Sequence, residues 1–164
     1  MRVYRLCRSS SPPYDGEGAK RAGGRWNSKG NRVVYMSENR SLAVLEILAH
    51  FSDVLPDKYV LGSADIPDDI LPQFLTDRDL PEKWATLDVD EQSATRQLGD
   101  DWQRKSSVAL SIPSVTSGER NFLLNPEHPQ FRDLRFHTPV PFRFDARLLR
   151  VPTDQIQSLT PRPH

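Results

Sequence analysis

The 164-residue chain has one cysteine, Cys7, and no net charge, with 22 Lys and Arg against 22 Asp and Glu. A single thiol excludes an internal disulfide and fits a reducing compartment. The balanced charge removes bulk attraction to nucleic acid or to an anionic membrane as an account of function. No run approaches the roughly 18 apolar residues of a membrane span. The start, MRVYRLCRSSSPPYDG, is broken by arginines and a proline pair where a secretory signal needs an apolar stretch. These absences point to a cytoplasmic protein. HExxH and CxxC spacings are missing and His50, His128, His137 and His164 are scattered, so no metal is expected. GxxxxGK[ST], a dinucleotide fingerprint and the GxSxG of a serine hydrolase are missing as well.

What is present suffices for one core, since 37% of the residues are hydrophobic. Charge is unevenly spread. Residues 1–35 carry eight basic against two acidic side chains, residues 36–104 six against fifteen, and residues 105–164 eight against five. The front end is electropositive and the middle acidic.

Alternation predicts a first strand over Val3–Cys7, followed by a flexible segment from Ser9 to Arg21. A second strand is predicted at Arg32–Met36, with Ser37 or Asn39 capping the next helix. Ser41–Phe51, SLAVLEILAHF, reads as a short helix, apolar nearly all round and therefore largely buried. Further strands are read at Tyr59–Ile66, Ser107–Ile112, Arg120–Leu124 and Phe142–Leu149. Asp68–Phe74 reads as a helical turn, Asp90–Lys105 as an amphipathic helix with Leu98 and Trp102 on one face, and Asn125–Pro129 as a loop. Several short strands with few helices make an α+β domain. After Arg150 the chain is polar and proline-containing, a tail over 151–164.

Four positions carry chemistry in this pattern. Glu46 interrupts the apolar helix, where a carboxylate is costly unless an arginine such as Arg25 or Arg5, a backbone donor or a ligand hydroxyl pairs with it. Arg25 lies in GGRWNSKG, a loop able to clamp a phosphorylated ligand or, equally, a solvated turn with Trp26 plugging the core. Ser114 follows a sharp Ile112-Pro113 junction. Tyr35, near a strand end, either stacks on a ligand ring or packs the core. His50 reads as a helix-end or core histidine.

Taken in order, GGRWNSKG, VVYMSE, SLAVLEILAH, and SIPSV followed by ERNFLLNPEHPQF resemble the RES-domain toxin family, named for its arginine, glutamate and serine. The resemblance runs from Val3 to about Arg150. It implies one RES toxin domain over 1–150 with an ADP-ribosyltransferase-like fold, a split, curved β core with flanking helices and an NAD⁺ cleft. It implies NAD⁺ as substrate, degraded by hydrolysis or by phosphorolysis with inorganic phosphate as co-substrate, or else mono-ADP-ribosylation of a cellular protein. It further implies a hetero-oligomer with a cognate Xre-like antitoxin that covers the active-site entrance, with any DNA contact belonging to the antitoxin. By the same resemblance, Glu46 binds the ribose hydroxyls and stabilises the developing cation, and Arg25 holds pyrophosphate or ribose. Tyr35 packs against nicotinamide, and Ser114 fixes the nicotinamide-ribose end or the glutamate. Arg5 and Asn121 follow as further NAD⁺-binding candidates. The competing class is a non-enzymatic binding module, its basic front end gripping an acidic or phosphorylated partner without nicotinamide release.

Overall fold

Eight strands hydrogen-bond into one mixed sheet in the computed structural model, which describes residues 1–50, 58–85, 92–105 and 107–149. The strands are β1 (Arg2–Arg8), β2 (Val34–Ser37), β3 (Tyr59–Asp65), β4 (Gln73–Phe74), β5 (Ala109–Pro113), β6 (Arg120–Leu124), β7 (Arg135–Phe136) and β8 (Val140–Phe142). The sheet order is β4-β5-β6-β2-β1-β3-β7, with β8 also on β3; β4 and β5 run parallel and every other pair antiparallel. Among the described residues three α-helices flank it: α1 (Glu17–Ala22), α2 (Arg40–Ala49) and α3 (Ser93–Lys105). The result is an α+β domain built on a curved half-barrel sheet. No helix among the described residues is long and apolar enough to cross a membrane.

The pleat sorts the side chains into two faces. Val34 and Met36 of β2, Phe122 and Leu124 of β6, and Val3 of β1 pack one core face. On the other face the sheet is covered in two places. Leu110, Ile112 and Leu123 pack with Trp102 of α3 and with Trp26, while Leu6 and Leu61 pack with Ala43, Val44 and Ile47 of α2. Between these two coverings the sheet is thinly joined. β1 and β3 pair through seven residues, but β1 and β2 through one, Tyr4 opposite Ser37. At this seam the Arg5 guanidinium donates from Nη1 to the Tyr35 carbonyl at 2.9 Å.

The chain departs from its sequence pattern in four places. The segment expected to be flexible contains α1, set between Gly16 at φ 69° and Gly23 at φ 72°. Its Glu17 lies in the first turn and Lys20 and Arg21 in the last, the arrangement a helix dipole favours. α2 is less buried than its composition suggests: only Leu42 and Ala43 are buried, and Leu45 is 39% exposed. It rests on the sheet through Ala43, Val44 and Ile47, while Leu45 and Ala49 are exposed. Phe142–Leu149 is not a strand. Only Phe142 belongs to β8, and the Asp145 carboxylate accepts from the Arg147 amide at 2.9 Å, starting a 3-10 turn over Ala146–Leu149. Asp68–Phe74 turns only as far as Ile70, whose amide meets the Pro67 carbonyl at 3.1 Å, and then extends into β4. Phe51, Asp90, Glu91 and the 151–164 tail lie outside the described residues.

Candidate active site

Asn39 begins α2: its Oδ1 accepts from the Leu42 amide at 2.8 Å, satisfying one of the orphan donors of the first turn. Two turns on, the helix presents Glu46 toward the ends of β5 and β6. Its Oε1 accepts from Asn121 Nδ2 at 2.6 Å, from Ser114 Oγ at 2.8 Å and from Thr116 Oγ1 at 3.2 Å. Each donor is itself held. Asn121 sits opposite Ser37 in the β2–β6 ladder, and Ser37 Oγ donates to Asn121 Oδ1 at 2.8 Å, so the amide turns its NH₂ to the carboxylate. Ser114 is buried just past Pro113, and its amide closes a turn onto the Glu119 carbonyl at 2.7 Å.

Glu46 makes no ion pair among the described residues. The structural pairing with Arg25 or Arg5 that the sequence left open is therefore absent. Arg5 serves the Tyr35 carbonyl, and Arg25 Nη1 donates to the Trp84 carbonyl at 2.7 Å. Arg25 nevertheless lies within the field of the carboxylate. Burial lowers the affinity of its guanidinium for the proton, and the negative charge of Glu46 opposes that. All the described hydrogen bonds to the Glu46 carboxylate end on Oε1, so it is fixed by neutral donors through one oxygen.

The Arg25 loop is rigid for reasons that the sequence pattern does not display. Asn27 is wholly buried; its Nδ2 donates to the carbonyls of Ala19 at 2.9 Å, Ser28 at 3.1 Å and Asn31 at 3.1 Å. Its Oδ1 accepts from the Tyr35 hydroxyl at 2.7 Å, and that hydroxyl accepts from the Trp26 amide at 3.3 Å. Burial, first, pushes the Tyr35 phenol far above its ordinary value, so it stays a neutral donor. Asp100 of α3 completes the scaffold, accepting from the Ser28 amide at 3.0 Å and from Asn31 Nδ2 at 2.6 Å. Gly24 leaves room for this arrangement, because a Cβ there would stand 2.7 Å from the Tyr35 hydroxyl. Beside the loop is an open cavity of about 690 Å³, lined among others by Gly23, Gly24, Arg25, Lys29, His50 and Arg96. His50 caps α2, its Nδ1 2.8 Å from the Glu46 carbonyl oxygen.

The structure thus brings together Glu46, Ser114 and Asn121 in direct contact, with Arg25 nearby at the cavity. Tyr35 and Arg5 stand behind them as parts of the framework. Reading the sequence did not single out Thr116, the role of Ser37 behind Asn121, or Asp100. Hydroxyls in a turn and an aspartate on a polar helix give no pattern to find them by. Asn27 was legible only as the amide inside GGRWNSKG.

An α+β half-barrel with a serine bonded to a glutamate, and an arginine that lines a cavity within the field of that carboxylate, defines a class of small single-domain proteins. The RES domain matches residues 2–145, and the chain belongs to the RES domain toxin family. It is 34% identical over 154 residues to "Toxin Res" of Yersinia enterocolitica, covering 90% of this chain and 99% of that protein. It is 34% identical over 140 residues to the "Prs ADP-ribosylating toxin" of Sphingobium sp., covering 82% and 86%. Its fold matches a chain in the crystal structure of the M. tuberculosis MbcT-MbcA toxin-antitoxin complex with a TM-score of 0.67 and 16% identity, covering 87% of this chain and 84% of that one.

Proposed function

We propose that this protein is the toxin of a toxin-antitoxin pair and that its site cleaves the bond between nicotinamide nitrogen and ribose C1′ of NAD⁺. The observation that carries the reading is the Glu46 carboxylate, held by Asn121, Ser114 and Thr116 through one oxygen and, among the described residues, by no cation. In this reaction nicotinamide leaves as a neutral ring with the bonding electron pair, and positive charge develops on the ribose. A carboxylate fixed in advance stabilises that charge through the ribose hydroxyls without having to reorganise. Arg25, with Lys29 at the same cavity, supplies fork and point charge for the diphosphate. Oxygen of water or of inorganic phosphate then adds to C1′, giving ADP-ribose with release of a proton, or ADP-ribose 1″-phosphate. Tyr35 packs near the nicotinamide end, and Arg5 stiffens the wall behind it. Similarity to a relative named an ADP-ribosylating toxin supports reading the fold as ADP-ribosyltransferase-like. The solved relative from a toxin-antitoxin complex supports a cognate antitoxin for this chain too, an Xre-like protein covering the cavity mouth.

A second reading has a specific support: one relative is named an ADP-ribosylating toxin, which favours a protein side chain as the acceptor in place of water or phosphate. Nicotinamide release by purified, antitoxin-free protein decides between them, with mass spectrometry of the products made with and without phosphate. The expected result is release that falls about 10²–10³-fold in Glu46→Gln, the worth of a preorganised charge in such a site, with the circular dichroism spectrum unchanged. No release under either condition rejects stand-alone NAD⁺ degradation and turns the test to labelled transfer from NAD⁺ onto cell-extract protein. Equal turnover by folded wild type and Glu46→Gln removes the glutamate from the chemistry.

A further inference from the structure

We propose that Thr116 is a positioning residue for the Glu46 site, holding the Ser114 hydroxyl so that its single proton points at the carboxylate. The argument is a proton count. Ser114 Oγ has one proton and two lone pairs. An ionised Glu46 only accepts, so the 2.8 Å contact to Oε1 takes the Ser114 proton. The Thr116 amide only donates, and at 3.1 Å from Ser114 Oγ it occupies one lone pair. The remaining contact, Ser114 Oγ to Thr116 Oγ1 at 2.8 Å, is open to either direction by distance alone. With the Ser114 proton already committed, the Thr116 proton goes to Ser114 across 2.8 Å and fills the second lone pair, with Glu46 at 3.2 Å as the weaker branch of the same bifurcated bond. In the reverse arrangement Ser114 donates to Thr116, and Thr116 reaches Glu46 across 3.2 Å, exchanging a short contact for a long one. Thr116 therefore saturates the serine from behind, by amide and by hydroxyl, and leaves it one orientation.

The turn that carries Thr116 is tied to the helix that carries Glu46. The Ser114 amide donates to the Glu119 carbonyl at 2.7 Å and the Gly118 amide to the Ser114 carbonyl at 3.2 Å, closing the turn. Asn39, while capping α2 with its Oδ1, gives its Nδ2 to Glu119 Oε1 at 2.8 Å. One asparagine thus fixes both the start of the helix and the far side of the turn. Thr116 itself is exposed, so it has little packing to lose. Valine, which keeps its shape and its amide, removes only the hydroxyl.

The kinetic part of this inference rests on the NAD⁺ reading; the placement of Thr116 does not. The test is a double-mutant cycle over Thr116→Val and Ser114→Ala, read as kcat and KM for nicotinamide release and as the urea midpoint. Thr116→Val is expected to lower kcat about threefold to tenfold, the worth of one hydrogen bond, with KM nearly unmoved. It should cost nothing further in the Ser114→Ala background, and Thr116→Ser should restore the rate. Independent, additive losses, or a valine variant equal to wild type by both readouts, overturn the inference and leave the NAD⁺ reading standing. Non-additive urea midpoints in a protein that releases no nicotinamide uphold the placement of Thr116 and reject the NAD⁺ reading.

Discussion

Arg25 shows how a charged side chain can be both anchored and available. One guanidinium nitrogen is tied to the Trp84 carbonyl, while the residue lines the cavity within the field of Glu46. If the remaining donors hold the diphosphate of NAD⁺, Arg25→Ala loses charge-assisted hydrogen bonds, and apparent affinity should fall about 10- to 100-fold. Arg25→Lys should recover little of it, because an ammonium lacks the planar fork. Unchanged affinity in a binding titration of either variant would take Arg25 out of the ligand shell. Of the site residues, Glu46 was legible in the sequence because a carboxylate inside an apolar helix demands a partner. Ser114 and Arg25 gave weaker signals, a sharp strand junction and a glycine-flanked loop, which their order along the chain joined. Thr116 and Ser37 were not legible, since their roles consist of orienting other side chains and leave no trace in spacing.

Among the elements, the strands with clean alternation were read closely. β6 has the bounds expected from sequence, and β3 ends one residue earlier than expected. The misreadings share a cause: side-chain hydrogen bonds and glycine punctuation decided the local structure where apolar periodicity was weak, at α1 and after β8. α3 and the Arg25 loop illustrate a contact that no periodicity reports. A Cβ on Gly99 would stand 1.8 Å from the Trp26 carbonyl oxygen, so the helix lies directly against the loop backbone. Gly99→Ala must therefore push α3 away, disturbing the Trp26–Trp102 packing and the Asp100 bonds to Ser28 and Asn31. The expected cost is about 1–3 kcal/mol from overpacking, seen as a lower urea midpoint. Activity should fall as well, because the loop that carries Arg25 loses its backing. A variant as stable and as active as wild type would show that the loop does not depend on α3.

At the scale of the molecule, the sheet is fastened along one edge by Asp65 of β3. Its carboxylate accepts from Arg2 of β1 at 2.6 and 3.0 Å and lies 2.8 Å from His137 Nε2, just past β7. The Arg2 hydrogen bonds, followed by the His137 contact, hold this carboxyl well below the usual carboxylate range. A depressed folded-state value means that the clip stabilises the protein above the ordinary carboxylate pKa of about 4. That stabilisation is lost as pH falls from there through the folded-state value. Asp65→Asn should then be less stable than wild type at pH 7, with the gap in urea midpoint closing as the pH is lowered. A gap independent of pH would assign the loss to packing. The partial exposure of all three groups keeps the effect modest.

The site is also spread far along the chain. Glu46 lies in the first third of the sequence, and its three donors, Ser114, Thr116 and Asn121, follow from 68 to 75 positions later. During synthesis on a ribosome, the carboxylate therefore emerges long before anything that orients it. A chain interrupted ahead of Ser114 carries the glutamate and the Arg25 loop without any of these donors. The order of the residues thus delays assembly of the site until synthesis has passed Asn121.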